Sequence, residues 1–167
     1  GTDAIYISLK SLDIGPGDEV ITVANTWIST AETIHQTGAQ AKFVDIEPDY
    51  YNIDSSRIEE KITPNTKAII AVHLYGQAAA LKEIMAICKK HGLFLIEDCA
   101  QAHLGTYEGK VLGSFADIST FSFFPSKNIG AFGDAGAIIT QNPLLEEATR
   151  RFANHGSLRK HDHKFPG

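Results

Sequence analysis

Two unbroken apolar runs constrain this chain more than anything else in it: Lys67 to His73 (KAIIAVH) and Leu93 to Cys99 (LFLIEDC), with helical periodicity between them from Leu81 to Lys90. A strand with one wet face alternates apolar and polar residues, so a run that is apolar throughout suits a strand covered on both faces. Two such strands joined through a helix make a βαβ unit, and its strands are parallel. The rest of the chain keeps that rhythm. A helix is expected over Asp3 to Leu12, stopped by Gly15-Pro16-Gly17, then a strand over Val20 to Val23. A helix over Trp27 to Thr37 ends at Gly38, and a strand follows over Ala41 to Ile46. Asp54 caps a short helix reaching Lys61, Ile118 to Phe123 and Ala137 to Thr140 are further strands, and Asn142 opens a helix over Pro143 to Phe152. No repeat or low-complexity linker interrupts the 167 residues, so they read as one α/β domain with a mostly parallel sheet. Ligands of such domains bind at the carboxyl ends of the strands, where the polar residues of this sequence gather.

A net charge of −5 argues against a nucleic-acid or anionic-membrane surface, since counterion-release binding needs clustered Lys and Arg. No apolar stretch approaches the roughly 20 residues of a membrane span. The two cysteines, Cys88 and Cys99, form neither a C-x-x-C pair nor a disulfide framework, which points to buried thiols in a reducing cytoplasm. Gly1-Thr2-Asp3-Ala4 has neither the basic region nor the apolar region of a secretory signal, and it does not read as a natural start.

Several residues stand where chemistry is expected. Asp98 ends an apolar strand, where a charge is costly without a partner; it is either a cap or buried ion pair, or the partner of a cationic ligand such as a pyridinium N–H. Glu97 beside it is expected on the opposite face. Lys127 follows Phe121-Ser122-Phe123-Phe124-Pro125-Ser126, and the three phenylalanines suggest a loop folded on the core, where desolvation makes an amine nucleophilic toward carbonyls. Ser122 is either a turn-stabilising hydroxyl or a donor to a phosphate. Gly1-Thr2-Asp3 opens a helix, and a helix N-terminus is an anion site, although Thr is also a common cap. Trp27, the single tryptophan, reads on residue type alone as a core side chain, with stacking on a flat heteroaromatic ring as the alternative. Asn154-His155-Gly156 and Lys160-His161-Asp162-His163 read as a solvated loop, because no further ligand completes a metal set. Gly105-x-x-x-Gly109 and Gly133-x-x-Gly136 lack the context of a nucleotide-binding loop.

Taken in order, Gly1-Thr2-Asp3-Ala4-Ile5, Gly15 to Ile21, Thr26-Trp27-Ile28-Ser29-Thr30-Ala31, Ile62 to Gln77, Ile96 to His103 and Phe121 to Gly130 resemble the DegT/DnrJ/EryC1/StrS family of sugar aminotransferases. The resemblance runs over essentially the whole chain. It implies a three-layer α/β/α sandwich, the large domain of a fold-type I enzyme that depends on pyridoxal 5′-phosphate (PLP). It further implies that Lys127 carries PLP as a Schiff base, Asp98 salt-bridges the pyridine nitrogen and Gln101 hydrogen-bonds near the 3′-oxygen. Trp27 would stack on the ring, and Gly1, Thr2 and Ser122 would hold the phosphate. The implied reaction moves an amino group, with glutamate as the expected donor, onto a nucleotide-linked keto-sugar in a homodimer. No metal is implied. Residues 1–167 then read as a large domain truncated at both ends, without its small C-terminal domain. Gly133-Asp134-Ala135-Gly136 departs from the family's more usual Gly-Asp-Gly-Gly, as a tolerated variant. The family's dehydratase branch places His where Lys127 stands, and a non-catalytic regulator would not need Lys127 and Asp98 intact.

Overall fold

The structure, a computed structural model, describes residues 1–159 and 162–163. Four helices, α1 (Thr2–Ser11), α2 (Ser29–Gln36), α3 (Leu81–His91) and α4 (Pro143–Phe152), alternate with strands β1 (Glu19–Val23), β2 (Gln40–Val44), β3 (Thr66–Val72), β4 (Phe94–Asp98), β5 (Thr106–Tyr107), β6 (Lys110–Val111), β7 (Ile118–Ser122), β8 (Gly136–Ile139), β9 (Ser157–Arg159) and β10 (Asp162–His163). Six of them form the central sheet in the order β2-β1-β3-β4-β7-β8. All neighbours run parallel except β8, which is antiparallel to β7. This is the expected mostly parallel α/β architecture. The apolar runs behave as their composition requires: β3 from Ala68 onward and β4 from Leu95 onward are buried on both faces.

The direction of each crossover sets the layers. The chain passes from β1 to β2 through α2 in one direction along the sheet, and from β3 to β4 through α3 in the other. Right-handed crossovers in opposite directions place their helices on opposite faces. α1 packs against α2, α4, β7 and β8, so it shares the α2 face. Leu9, Ile14, Ile21, Ile70, Ile96 and Leu81 are among the fully buried side chains of the resulting core.

Several boundaries differ from the sequence reading. α2 begins at Ser29 rather than Trp27, because residues 24–28 form a turn whose Trp27 carbonyl accepts the Thr30 N–H at 3.1 Å. The segment after Asp54 is two successive 3₁₀ turns, Ser55–Arg57 and Glu59–Lys61; Asp54 does cap the first, accepting Ser56 N–H at 3.0 Å. Asn142 caps α4 as expected, accepting Leu144 N–H at 2.9 Å. The segment read as a solvated loop after His155 is instead a small antiparallel pairing of β9 with β10, in which His163 Nδ1 lies 2.7 Å from the His155 carbonyl. Lys160 and His161 of that stretch lie outside the described residues. Gly105 to Gly109 belong to the β5–β6 hairpin, which alternation alone does not disclose in so short a pair.

Candidate active site

The carboxyl edge of the sheet opens into a cleft of 1260 Å³ lined by Gly1, Thr2, Trp27, Thr30, Asp98, Ser122 and Lys127, among others. Pockets for single drug-sized ligands are typically about 300–1,000 Å³, and this open cleft lies above that range. Each lining residue arrives by a short route. Asp98 is the last residue of β4 and Ser122 the last of β7, while β8 runs the other way and brings Gly136 to the same edge. α1 enters with its N-terminus against these ends. The Gly1 nitrogen lies 3.3 Å from the Ala135 carbonyl, and a Cβ added at Gly1 would sit 2.8 Å from Ser122 Cβ. Only glycine lets the helix start this close to β7. Ile5 N–H makes the helix's bond to the Gly1 carbonyl at 3.2 Å, so the N–H groups ahead of it point toward the cleft mouth as a helix N-terminus does.

Asp98 is 5% exposed. Its Oδ1 accepts Ala100 N–H at 3.1 Å and its Oδ2 accepts the Thr30 hydroxyl at 3.3 Å. Among the described residues no cation makes an ion pair with it. Burial pushes its acidity toward the neutral form, against the pull of those two donors and of the more distant His73 and Lys127. A buried acid short of a cation, facing a cleft, is a place where a cationic ring N–H would be held.

Lys127 stands in the loop after β7, partly buried, with its N–H on the Phe124 carbonyl at 2.8 Å. Phe121 and Phe123 anchor that loop on the core as expected, but Phe124 is 49% exposed and does not. Gly130 closes the loop: a Cβ there would run into the Pro125 carbonyl. Ser122 Oγ accepts Phe124 N–H at 3.4 Å, so its turn-stabilising role is real, and the same hydroxyl also lines the cleft. Thr2 Oγ1 pairs with Ser29 Oγ at 2.8 Å and does not cap α1. Trp27 is 73% exposed, which overturns its reading as a core side chain; it lies on the cleft wall with its ring available for stacking. Gln101 is set apart from the other candidates: its Oε1 accepts Tyr75 N–H at 2.7 Å, and it is not among the lining residues.

Two groups escaped the sequence reading. One is the hydroxyl set Thr26, Ser29 and Thr30, which the position of TWIST after the β1 carboxyl end would have flagged. The other is the set of donors gathered by Glu97, a residue that lies on the opposite face of β4 as expected. It is fully buried and accepts from His73 Nε2 at 3.1 Å, Gly113 N–H at 2.8 Å, Phe115 N–H at 2.9 Å, Ala116 N–H at 2.9 Å and Ser119 Oγ at 3.2 Å. Burial opposes its charge, yet the donors from His73, Gly113 and Phe115 outweigh burial and hold its acidity below the ordinary carboxylate range. The adjacent carboxyls of β4 are thus pushed in opposite directions.

The model of the DegT/DnrJ/EryC1/StrS aminotransferase family matches residues 1–167. The chain belongs to that family. Similar members include a UDP-N-acetyl-3-dehydro-alpha-D-glucosamine 3-aminotransferase from Acidithiobacillus ferrooxidans, 50% identical over all of this chain and 45% of its own length. A pleiotropic regulatory protein from Geobacillus stearothermophilus is also 50% identical, with the same coverage of 100% and 45%. Among solved structures, NtdA from Bacillus subtilis with bound cofactor PMP superposes with a TM-score of 0.92 at 42% identity, covering 97% of this chain and 37% of that one. The chain therefore spans about half the length of the curated family members it matches.

Proposed function

We propose that this chain is the cofactor-binding part of a PLP-dependent aminotransferase that acts on a nucleotide-linked keto-sugar, with glutamate as amino donor. The observation that carries the reading is the pairing, in one cleft, of Lys127 with a buried Asp98 that has two hydrogen-bond donors and no cation. The residues present fit PLP. Lys127 Nζ would hold its carbonyl carbon, Asp98 would hold the proton at its ring nitrogen, and the α1 N-terminus with Gly1, Thr2 and Ser122 would take its phosphate. Trp27 would cover the ring and exclude water from it. Gln101, whose Oε1 is taken by the Tyr75 N–H, would have its amide nitrogen left for the 3′-oxygen.

Bound there, the cofactor supplies an electron sink for the carbon from which a proton is removed. The chain supplies the proton chemistry. Lys127 Nζ would be the base that takes the proton from the substrate carbon and the acid that returns it. Asp98 would keep its charge against burial with a ring cation added to its two donors, the Ala100 N–H and the Thr30 hydroxyl.

The nucleotide-sugar substrate is supported by the name of the A. ferrooxidans relative. A homodimer is proposed from the family resemblance, and a cytoplasmic setting from two buried free thiols; no helix among the described residues is long and apolar enough to cross a membrane. The name of the G. stearothermophilus relative favours a second reading, a regulator that keeps the fold without turnover. Addition of glutamate to the PLP-loaded full-length protein separates the two. An aminotransferase converts the visible band of the bound cofactor to the near-ultraviolet band of its amine form, whereas a regulator leaves the band in place.

A further inference from the structure

Thr26, Thr30 and Asp98 form a directed chain. Asp98 Oδ2 is an acceptor, so the single hydroxyl proton of Thr30, 3.3 Å away, is committed to it. The Thr26 hydroxyl lies 3.0 Å from the Thr30 oxygen and must then be the donor to it. Thr30 is 1% exposed and Thr26 only partly buried, so the chain runs from a partly exposed hydroxyl to a buried carboxylate. On the other side of Asp98 the Ala100 N–H occupies Oδ1. Each carboxylate oxygen therefore keeps its second lone pair for the cleft.

Resting on the reading of Asp98 given above, we propose that Thr30, backed by Thr26, is a positioning residue that aims the Asp98 carboxylate into the cleft and keeps it ionised before any cationic ligand arrives. A hydroxyl donated to a carboxylate favours the charged form, and a second hydroxyl behind it polarises the first. The backbone holds the arrangement rigid: Thr30 N–H is on the Trp27 carbonyl at 3.1 Å, and the Thr33 hydroxyl reaches the Thr30 carbonyl at 3.3 Å. The same turn thus fixes Trp27 and Thr30 together, which ties the ring-covering side chain to the group that orients Asp98. The other charged or titratable groups near Asp98 are Lys127 from the loop after β7, His73 at the end of β3, and Glu97 and Cys99 beside it on the chain. None of their side chains hydrogen-bonds the Asp98 carboxylate among the described residues, where the Thr30 hydroxyl and Ala100 N–H are its direct partners; the His73 N–H bonds the Asp98 backbone carbonyl at 3.1 Å.

The test compares Thr30→Val, Thr30→Ser and Thr26→Val at full natural length, and reads the Asp98 carboxyl carbon by NMR through a pH titration of the cofactor-free protein. Thr30→Val keeps the side-chain volume and removes the donor, so the Asp98 midpoint rises by about one pH unit, a tenfold change in proton affinity. Thr30→Ser returns it to the wild-type position, and Thr26→Val moves it in the same direction by less. In the loaded protein kcat falls for Thr30→Val while the KM for the sugar stays constant. An unmoved midpoint in Thr30→Val, or a serine variant that fails to restore it, overturns the proposal; if the valine variant does not fold, an unmoved midpoint in the partly buried Thr26→Val does so. A shifted midpoint in a protein that binds no PLP would instead leave the hydroxyl chain standing and remove the cofactor reading.

Discussion

His73 Nε2 and Glu97 Oε1 meet 3.1 Å apart with neither side chain exposed to solvent. His73 Nδ1 accepts the Ala79 N–H at 3.1 Å, which leaves Nε2 as the protonated nitrogen and makes the contact a hydrogen bond from a neutral imidazole to a carboxylate. The pair links the 73–79 loop to the end of β4, and the remaining Glu97 acceptor sites hold the 113–116 turn. Asp98 stands at a fixed height on the sheet because Glu97 is anchored from below.

Replacing Glu97 with Gln puts an amide nitrogen among groups that can only donate. A buried donor left facing that nitrogen costs about 1–3 kcal/mol, so Glu97→Gln should lose at least that much unfolding free energy in urea titration at neutral pH. The acid dependence has a definite sign. Glu97 has its folded-state acidity held below the ordinary value of 4.5, so its contribution is fully present above that value and is lost as the pH falls through the lowered one. Stability measured from pH 6 downward should therefore decline in the wild type and lose that component in Glu97→Gln.

Asp98 is predicted to behave oppositely. Burial raises its folded-state value, so the stability it contributes belongs to the protonated form and is lost as the pH climbs through that raised value. At neutral pH Asp98→Asn should make the cofactor-free protein more stable, while turnover of the loaded full-length enzyme falls by orders of magnitude. Thermal melts of the empty protein and steady-state rates of the loaded one check both halves, and a variant that melts lower or turns over normally contradicts the assignment.

The loop that presents Lys127 is closed by backbone rather than by side chains. A methyl at Gly130 would collide with the Pro125 carbonyl, which cannot move without opening the loop. Overpacking of this kind costs about 1–3 kcal/mol, so Gly130→Ala should weaken PLP binding about tenfold or more by equilibrium titration. A similar substitution at Gly109, where nothing lies within 4 Å but φ is +79°, should leave PLP affinity unchanged.

Neither thiol is poised to react. Burial pushes Cys88 up to about 12 and raises Cys99 further, with Glu97 and Asp98 adding to the latter. Both should resist iodoacetamide in the native protein and alkylate fully in denaturant, as intact mass measures directly.

Much of this was legible in the sequence because the decisive signals are local. The apolar runs of β3 and β4 announce strands buried on both faces, and Gly92 at φ 65° ends α3 where its pattern stops. Residue type alone favours burial of Trp27, whereas the turn at 24–28 lifts its ring out of the core before α2 begins, on the side where the family resemblance expects it. The Thr30–Asp98 contact joins residues 68 positions apart, and Glu97 gathers donors from three segments, so no spacing rule exposes either. The β9–β10 pairing escaped because strands so short carry no period to read.

The central claim is that Lys127 binds the cofactor covalently. Borohydride reduction of the PLP-loaded full-length protein followed by peptide mass mapping tests it most directly. The account predicts a single phosphopyridoxyl label on Lys127, lost in Lys127→Ala, and a label on any other lysine, or none, would contradict it.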